Sequence, residues 1–465
     1  MLFQNLNEFS ASINGALVLE GEKIKVADKD KFTKKIIEQL VYNAVFGNAE
    51  IKEVCRWIIW EASQFLGIYP SSIQGIYEAR ARNEYKGMTV PAMNIRGLTY
   101  DVARIIFKTA IKNNAKAFIF EIAKSEIDYT EQRPEEYTSA ILAAAIKEGF
   151  KGPVFIQGDH FQVSASKFQK DSSGEIKKLK DLIREAVDAG FYNIDIDAST
   201  IVDLSKNSVK EQQRLNYEIT AELCSYIRSI EPAGIIVSVG GEIGEVGGKN
   251  STVEELREFF KGFREELDSK HNKNFKGLSK ISVQTGTTHG GIPLPDGRIA
   301  EVKLDFNVLK ELSKAGRKEF GVGGTVQHGA STLPEEAFDR FPQCDTLEVH
   351  LATAFQNIIY DSSSFPKDLK DEIYSYINKE LIGEKKEKDT QEQFIYKTRK
   401  KGFGPFKKKM WDISENTKEK ISAELERQFN IIFNKLSATN TEKLVADKIK
   451  VKPISKKAPE GIKKL

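Results

Sequence analysis

One pattern dominates residues 86–365: a short β-branched or apolar run, then small or polar residues, then an amphipathic stretch long enough for a helix, repeated along the chain. Apolar runs at 90–95, 117–122, 153–158, 193–197, 235–239, 280–284, 319–323 and 346–351 predict eight strands. Between them, helical spacing at 100–113, 134–148, 175–189, 211–230, 253–270 and 306–315 predicts helices, with Gly149, Gly190 and Gly316 at C-cap positions. Eight strands alternating with helices predict an α/β chain folded as a (β/α)8 TIM barrel. An open doubly wound sheet is the alternative, but no GxGxxG follows the first strand to support dinucleotide binding.

The flanks read differently, so three parts are expected. Residues 1–85 form an N-terminal appendage, mainly helical, with a hairpin turning at Glu20-Gly21-Glu22 and helical spacing around Trp57, Trp60 and Phe65. Residues 86–365 form the barrel. Residues 366–465 form a Lys-rich helical C-terminal extension with an apolar stripe through Ile421, Leu425, Phe429, Ile432 and Leu436, and the last dozen residues are expected to be loose. The stripe reads as packing onto the barrel or a partner subunit. The basic cluster Lys397, Arg399, Lys400, Lys401 and Lys407 to Lys409 reads as a solvated face, or as one that leans over a phosphate site.

Charge and cysteine content narrow the function classes. Seventy Lys and Arg stand against 67 Asp and Glu, a balance of +3, which gives no chain-wide nucleic-acid footprint and leaves any phosphate affinity local. The three cysteines, Cys55, Cys224 and Cys344, are far apart with no CxxC pair, which excludes thiolate zinc fingers and points to a reducing compartment. No secretory leader pattern and no long apolar run occur, so a soluble cytoplasmic protein with no nucleic-acid or membrane partner is expected.

Three of the five histidines sit just past predicted strand ends: His160 after the third, His289 after the sixth, His328 after the seventh. In a parallel barrel these positions face one mouth, where functional groups collect. Three imidazoles converging there suggest a divalent metal such as Zn2+ with an open position, able to act as a Lewis acid on a carbonyl. Glu242 aims a carboxylate at the same mouth as a further metal ligand or as a group orienting an imidazole. Asp159, beside His160, is placed to move a proton to or from a hydroxyl. Asp195 and Asp197 alternate along a strand and read first as members of an interior polar network. The glycine-rich turns around Gly290, Gly324 and Gly329, with Ser331, expose N–H groups suited to an anion. His350, inside the eighth strand, either faces the mouth or is a satisfied core residue.

Taken in order, PAMNIRGL, the GDH ending at His160, NIDIDAS, EIGEVGG, VQTGTTHGG, VQHGAST and LEVHLAT resemble the class II, metal-dependent fructose-bisphosphate and tagatose-bisphosphate aldolase family, over residues 90 to 357. The resemblance implies a TIM barrel with zinc held by His160, His289 and His328 and Glu242 as alternate ligand. It implies reversible cleavage of a ketose phosphate or bisphosphate to dihydroxyacetone phosphate and an aldehyde, with Asp159 exchanging the C4 hydroxyl proton. Gly290, Gly329, Ser331 and Thr353 would help hold a phosphate, with Asn94 near the substrate. The partner implied is a small sugar phosphate, and a homo-oligomer is expected.

The sequence departs from the family pattern at several places. Gln157 replaces a histidine, Gly240 and Asn250 replace the glutamates that open and close the glycine-rich signature, Pro293 stands where a lysine is usual, and His350-Leu351-Ala352-Thr353 replaces Asn-x-Asp-Thr. Asn250 cannot serve as the loop base of the family. Lys303, His350 or the C-terminal basic cluster are then candidates for holding the anion. A metal-dependent hydrolase and a non-catalytic sugar-phosphate-binding barrel are the alternative functions.

Overall fold

The computed structural model describes residues 2–21, 23–244, 248–286 and 304–463. Eight parallel strands close a barrel: β1 (Val90–Asn94), β2 (Ile119–Ala123), β3 (Gly152–Gln162), β4 (Asn193–Asp197), β5 (Ser238–Glu242), β6 (Lys280–Val283), β7 (Thr325–Gln327) and β8 (Glu348–Leu351). Each pairs with its sequence neighbours, and β8 returns to β1 with Glu348 opposite Val90. The fold is thus the expected TIM barrel with helical extensions. A further short strand, Ile68–Ser71, adds outside the barrel to the start of β3.

The barrel helices start and stop where local chemistry directs. Pro134 opens Pro134–Glu148, Asp171 accepts the Gly174 N–H at the head of Ser172–Ala189, and Thr252 with Glu255 forms a capping box on Val253–Glu266. Gly149 and Gly190 end their helices in the left-handed region at φ +71° and +98°. A Cβ at Gly190 would lie 2.7 Å from the Trp60 ring, so glycine also lets the N-terminal appendage approach.

Two strands and one cap depart from expectation. The strand expected at 319–323 lies at Thr325–Gln327, because the preceding helix runs on through a wide turn, Gly316–Phe320. Its left-handed cap is Gly321 (φ +69°), whereas Gly316 is helical. The fifth strand is Ser238–Glu242 instead of 235–239, so Gly240 and Gly241 are strand, not loop. At Gly240 a Cβ would collide with the Asp195 carboxylate and lie 2.9 Å from Lys280 Cε, so glycine there is a packing requirement of the barrel interior.

The extensions pack on the barrel. Strands Leu17–Glu20 and Lys23–Val26 form the expected antiparallel hairpin. Helices Ile37–Phe46 and Ala49–Phe65 lie against Pro134–Glu148. Helix Glu415–Lys435 buries Ile421, Leu425, Phe429 and Ile432 against Thr99–Lys112 and Thr353–Asp361, with Phe429 4.9 Å from Phe355. The last dozen residues are expected to be loose, but the described part of them is held at Ile454 and Lys456: Trp57 and Trp60 indole N–H groups donate to the carbonyls of Lys456 (2.9 Å) and Ile454 (2.7 Å). Among the described residues no helix is long and apolar enough to cross a membrane.

Candidate active site

A single irregularity in β3 brings Asp159 and His160 to the same place. On a regular strand, neighbouring side chains face opposite sides. Here the register shifts between Gly158 and Phe161, so Asp159 and His160 together span one residue of β4, and His160 takes φ +40°. Such a bulge costs backbone strain of roughly 1–3 kcal/mol, and it re-aims both side chains at the mouth. β5 delivers Glu242 from its last residue, β7 delivers His328 just past its end, and β8 delivers His350 from within.

His160 and His328 lie with ring centroids 4.1 Å apart, and His328 and His350 4.2 Å apart. His328 Nε2 is 3.3 Å from Asp159 Oδ1, and its Nδ1 is 3.7 Å from Glu242 Oε2. His350 Nδ1 lies 3.2 Å from Asp159 Oδ1 and 3.1 Å from Glu121 Oε2, while its Nε2 is 2.6 Å from Glu348. One donor atom from each of His160, Glu242 and His328 falls within 4.8 Å of the others, the spread expected of ligands around one ion. Asp159, His328 and His350 make a second such group, and Glu121, Glu348 and His350 a third, deeper one.

Beneath the histidines runs a network that the sequence did not announce. Lys280, fully buried, places its ammonium 2.6 Å from Glu348, 2.7 Å from Gln157 Oε1 and 2.9 Å from Asp195. Gln157 donates to Glu121 (3.0 Å) and Glu348 (2.9 Å), and Tyr77 donates to Glu348 from outside the barrel. Asp197 accepts from Gln162 (2.6 Å) and Ser199 (2.7 Å) and sits 3.2 Å from His160 Nδ1, which fixes the imidazole's orientation. Asp195 is therefore the interior network member expected of it, whereas Asp197 orients a site histidine.

Charge is unequally distributed in this cluster. Six carboxyl groups, on Glu121, Asp159, Asp195, Asp197, Glu242 and Glu348, are buried there with one lysine. Burial alone would lower the pKa of His160, but Asp159, Asp197 and Glu242 outweigh it and hold the pKa well above the usual imidazole range. His350 is likewise raised against its burial by Glu121, Asp159 and Glu348. His328 goes the other way, pushed well below by burial and by the charges of His160 and His350, which favours its neutral imidazole. Despite burial, His160 and His350 hold the Asp159 carboxyl well below its usual range. Burial pushes Asp195 up to about 6 although Lys280 opposes it. The excess of buried carboxylate over cation, the neutral form favoured at His328 and a Glu121 Oε1 with no hydrogen-bond partner among the described residues suit this donor set to a divalent cation.

The cluster opens into a cavity of about 740 Å³ at the barrel mouth, lined among others by Asn94, Asp159, His160, His328, Gly329, Ser331, His350 and Thr353. Asn94 donates to Glu126 (2.6 Å), and its buried carbonyl oxygen has no hydrogen-bond partner among the described residues. Gly329 is left-handed (φ +68°), and Ser331 Oγ accepts the Ala354 N–H (3.4 Å) at the start of the helix after β8. His289, Gly290, Pro293 and Lys303 lie outside the described residues. Asn250 is exposed and does not line the cavity. Glu121, Lys280 and Glu348 were missed by sequence reasoning. Their signal was a charge set inside an otherwise apolar strand run, in FIFEIAK, LSKISVQ and TLEVHLA.

Solved structures resemble this fold over most of its length. A fructuronate–tagaturonate epimerase from Cohnella laeviribosi aligns at 13% identity over 94% of this chain and 90% of its own, with a TM-score of 0.56. A probable tagatose 6-phosphate kinase from Sinorhizobium meliloti aligns at 13% identity over 77% of this chain and 93% of its own, with a TM-score of 0.52. A fructose-bisphosphate aldolase from Campylobacter jejuni aligns at 17% identity over 80% of this chain and 96% of its own, with a TM-score of 0.47. No curated protein matches the sequence. The family model for class-II fructose-bisphosphate aldolase matches residues 76–430, a stretch holding every barrel strand and the histidine mouth, and the chain therefore belongs to the class-II fructose-bisphosphate aldolase family.

Proposed function

We propose that this chain is a zinc-dependent aldolase that reversibly cleaves a ketose phosphate to dihydroxyacetone phosphate and an aldehyde. The observation that carries the reading is the convergence of His160, Glu242 and His328 beside Asp159 at the mouth of a cavity large enough for a sugar. Bound by those three side chains, with His289 as the family's further ligand, zinc would supply Lewis-acid polarisation of the ketone carbonyl.

The remaining chemistry falls to the chain's own residues. Asp159, held well below the usual carboxyl range after burial is outweighed by His160 and His350, is ionised at neutral pH. It can take the proton of the C4 hydroxyl as the adjacent carbon–carbon bond breaks, and return it on condensation. Asn94 offers a substrate hydroxyl a carbonyl oxygen that has no partner among the described residues, and the turn at Gly329 and Ser331, with Thr353, offers donors to a phosphate.

The test is zinc content of the purified chain, paired with proton NMR of dihydroxyacetone phosphate in deuterated buffer. About one zinc per chain, with loss of one C3 proton signal that a His328→Ala substitution abolishes, is the expected result. Stoichiometric zinc with no exchange would refute aldolase chemistry on this donor.

A further inference from the structure

The basic cluster of the C-terminal extension is mostly neutralised. Lys397 pairs with Asp389 (2.5 Å), Arg399 with Asp361 (2.6 Å), Lys401 with Glu384 (2.6 Å), Lys407 with Glu136 (2.7 Å) and Lys408 with Asp412 (2.5 Å), while Lys409 bonds Glu372. Lys400 is the exception. It lines the cavity at the barrel mouth, and its ammonium has no hydrogen-bond or ion-pair partner among the described residues, with the Tyr129 ring centroid 5.7 Å away. Burial and the neighbouring Arg96 both lower its pKa, and Glu126 opposes them.

Arg96 shares this wall. It donates from Nε to Glu126 Oε1 (2.7 Å) and from Nη1 to Gln356 Oε1 (2.9 Å), leaving Nη2 without a partner among the described residues. Elsewhere on the lining, Lys124 is paired with Glu175 (3.1 Å), Asp128 lies 3.6 Å from Arg133, and Lys167 is exposed at the rim. Arg96, Lys400 and Glu126 together sum to one net positive charge on this wall, where Arg96 also feels Asp159 and Lys400 feels Glu384. Holding an ammonium half out of water with no counter-ion is costly unless an anion occupies the space in front of it. One surplus charge, offered by a guanidinium N–H and an ammonium, matches a singly charged planar oxyanion better than a phosphate dianion.

We propose that Lys400 and Arg96 bind a carboxylate at the second charged end of the substrate, so that the ketose is a sugar acid recognised partly by the C-terminal extension. The inference rests on the aldolase reading for what happens at the carbonyl, but the recognition itself needs no turnover. It is tested by calorimetry on the full chain, with and without zinc, using D-galacturonate, D-galactose and inorganic phosphate as probes.

D-galacturonate is expected to bind more tightly than D-galactose. Lys400→Met should weaken galacturonate about tenfold, as loss of one charged hydrogen bond would, with galactose and phosphate unchanged and Lys400→Arg retaining most of the affinity. Retention of that Arg variant's binding shows that the site tolerates substitution and remains folded. Unchanged galacturonate affinity in Lys400→Met would overturn the assignment. A Lys400-dependent loss of phosphate binding larger than that of galacturonate would replace the carboxylate with a phosphoryl group and overturn it too. Lys400-dependent galacturonate binding in a chain that shows no proton exchange would sink only the aldolase reading.

Discussion

His160 carries two perturbations at once, a left-handed backbone and a raised pKa, and both come from its neighbours. The bulge that sets φ +40° points the ring at Glu242 and His328, and Asp197, 3.2 Å from Nδ1, keeps it there. A metal needs the neutral imidazole, whereas the metal-free site holds His160 protonated because Asp159, Asp197 and Glu242 overcome its burial. The free state therefore binds a proton that the loaded state lacks, so affinity for zinc must rise with pH until His160 deprotonates by itself, by up to about tenfold per pH unit for one proton. Calorimetric titration with zinc at pH 7 in two buffers of different ionisation enthalpy should show a proton released. Equal heats in both buffers would refute the linkage. Asp197→Asn removes the charged orienting group and should cost roughly 10–100-fold in zinc affinity without unfolding the chain. An unchanged dissociation constant would mean that Asp197 serves only Gln162 and Ser199.

At the scale of the strand, one departure from the family pattern, Gly240, belongs to a buried polar arrangement. Lys280 opens β6, Glu348 opens β8, Asp195 lies at the centre of β4, and Gly240 in β5 leaves the space their side chains occupy. Removing Lys280 would strand two carboxylates in the barrel interior, so Lys280→Met should destabilise the chain by about 3–5 kcal/mol in urea unfolding, and adding Glu348→Gln should recover part of the loss. The effect has a pH sign. Asp195, raised to about 6 by burial despite Lys280, is more protonated in the folded than in the unfolded chain between its ordinary pKa and that value. Its contribution therefore favours folding at low pH and is lost as pH rises through about 6. The penalty of Lys280→Met should accordingly be larger at pH 8 than at pH 5, and a pH-independent penalty would show that Asp195 is not the group left uncompensated. The same strands explain what could be read in advance. β1, β2, β4, β6 and β8 lie close to their apolar runs because strands covered by helices are apolar on both faces. β5 and β7 were displaced because glycines at 240, 241, 323 and 324 read as turns, although Gly240 and Gly241 are demanded by contact with Asp195, Lys280, Leu278 and Ile281. Glu242 and His328 were legible because they fall at strand ends, and Asp159 and His160 because they follow the apolar run 153–158, although β3 continues through them to Gln162; position near the end of a run implies the mouth. Glu121, Lys280 and Glu348 were not, because a single charge in an apolar run shows its partner only once strands distant in sequence are neighbours.

Across the whole molecule, the two extensions hold one another as well as the barrel. The chain's last segment runs along helix Ala49–Phe65, whose Trp57 and Trp60 donate to the carbonyls of Lys456 and Ile454. Gln64 both donates to the Ile454 carbonyl (2.9 Å) and accepts its N–H (2.6 Å), Glu61 accepts the Lys456 N–H (2.8 Å), and the Lys456 ammonium lies 4.0 Å from the Trp60 ring centroid. That helix in turn packs on Pro134–Glu148 of the barrel, and Trp60 meets Gly190 at the head of β4. The tail is therefore a strap over the appendage, and none of its residues lines the cavity that Lys400 lines. Deleting residues 450–465 would uncover both indoles and exchange several ordered hydrogen bonds for water, a loss of about 2–4 kcal/mol for apolar contact and bonding together. The expected readouts are a lower urea midpoint and a red-shifted tryptophan emission, with galacturonate affinity and its dependence on Lys400 unchanged. A truncated chain with the full-length midpoint would show the strap to be without energetic weight. A truncated chain that lost galacturonate binding while remaining folded would show that the strap and the cavity wall are coupled through the C-terminal extension.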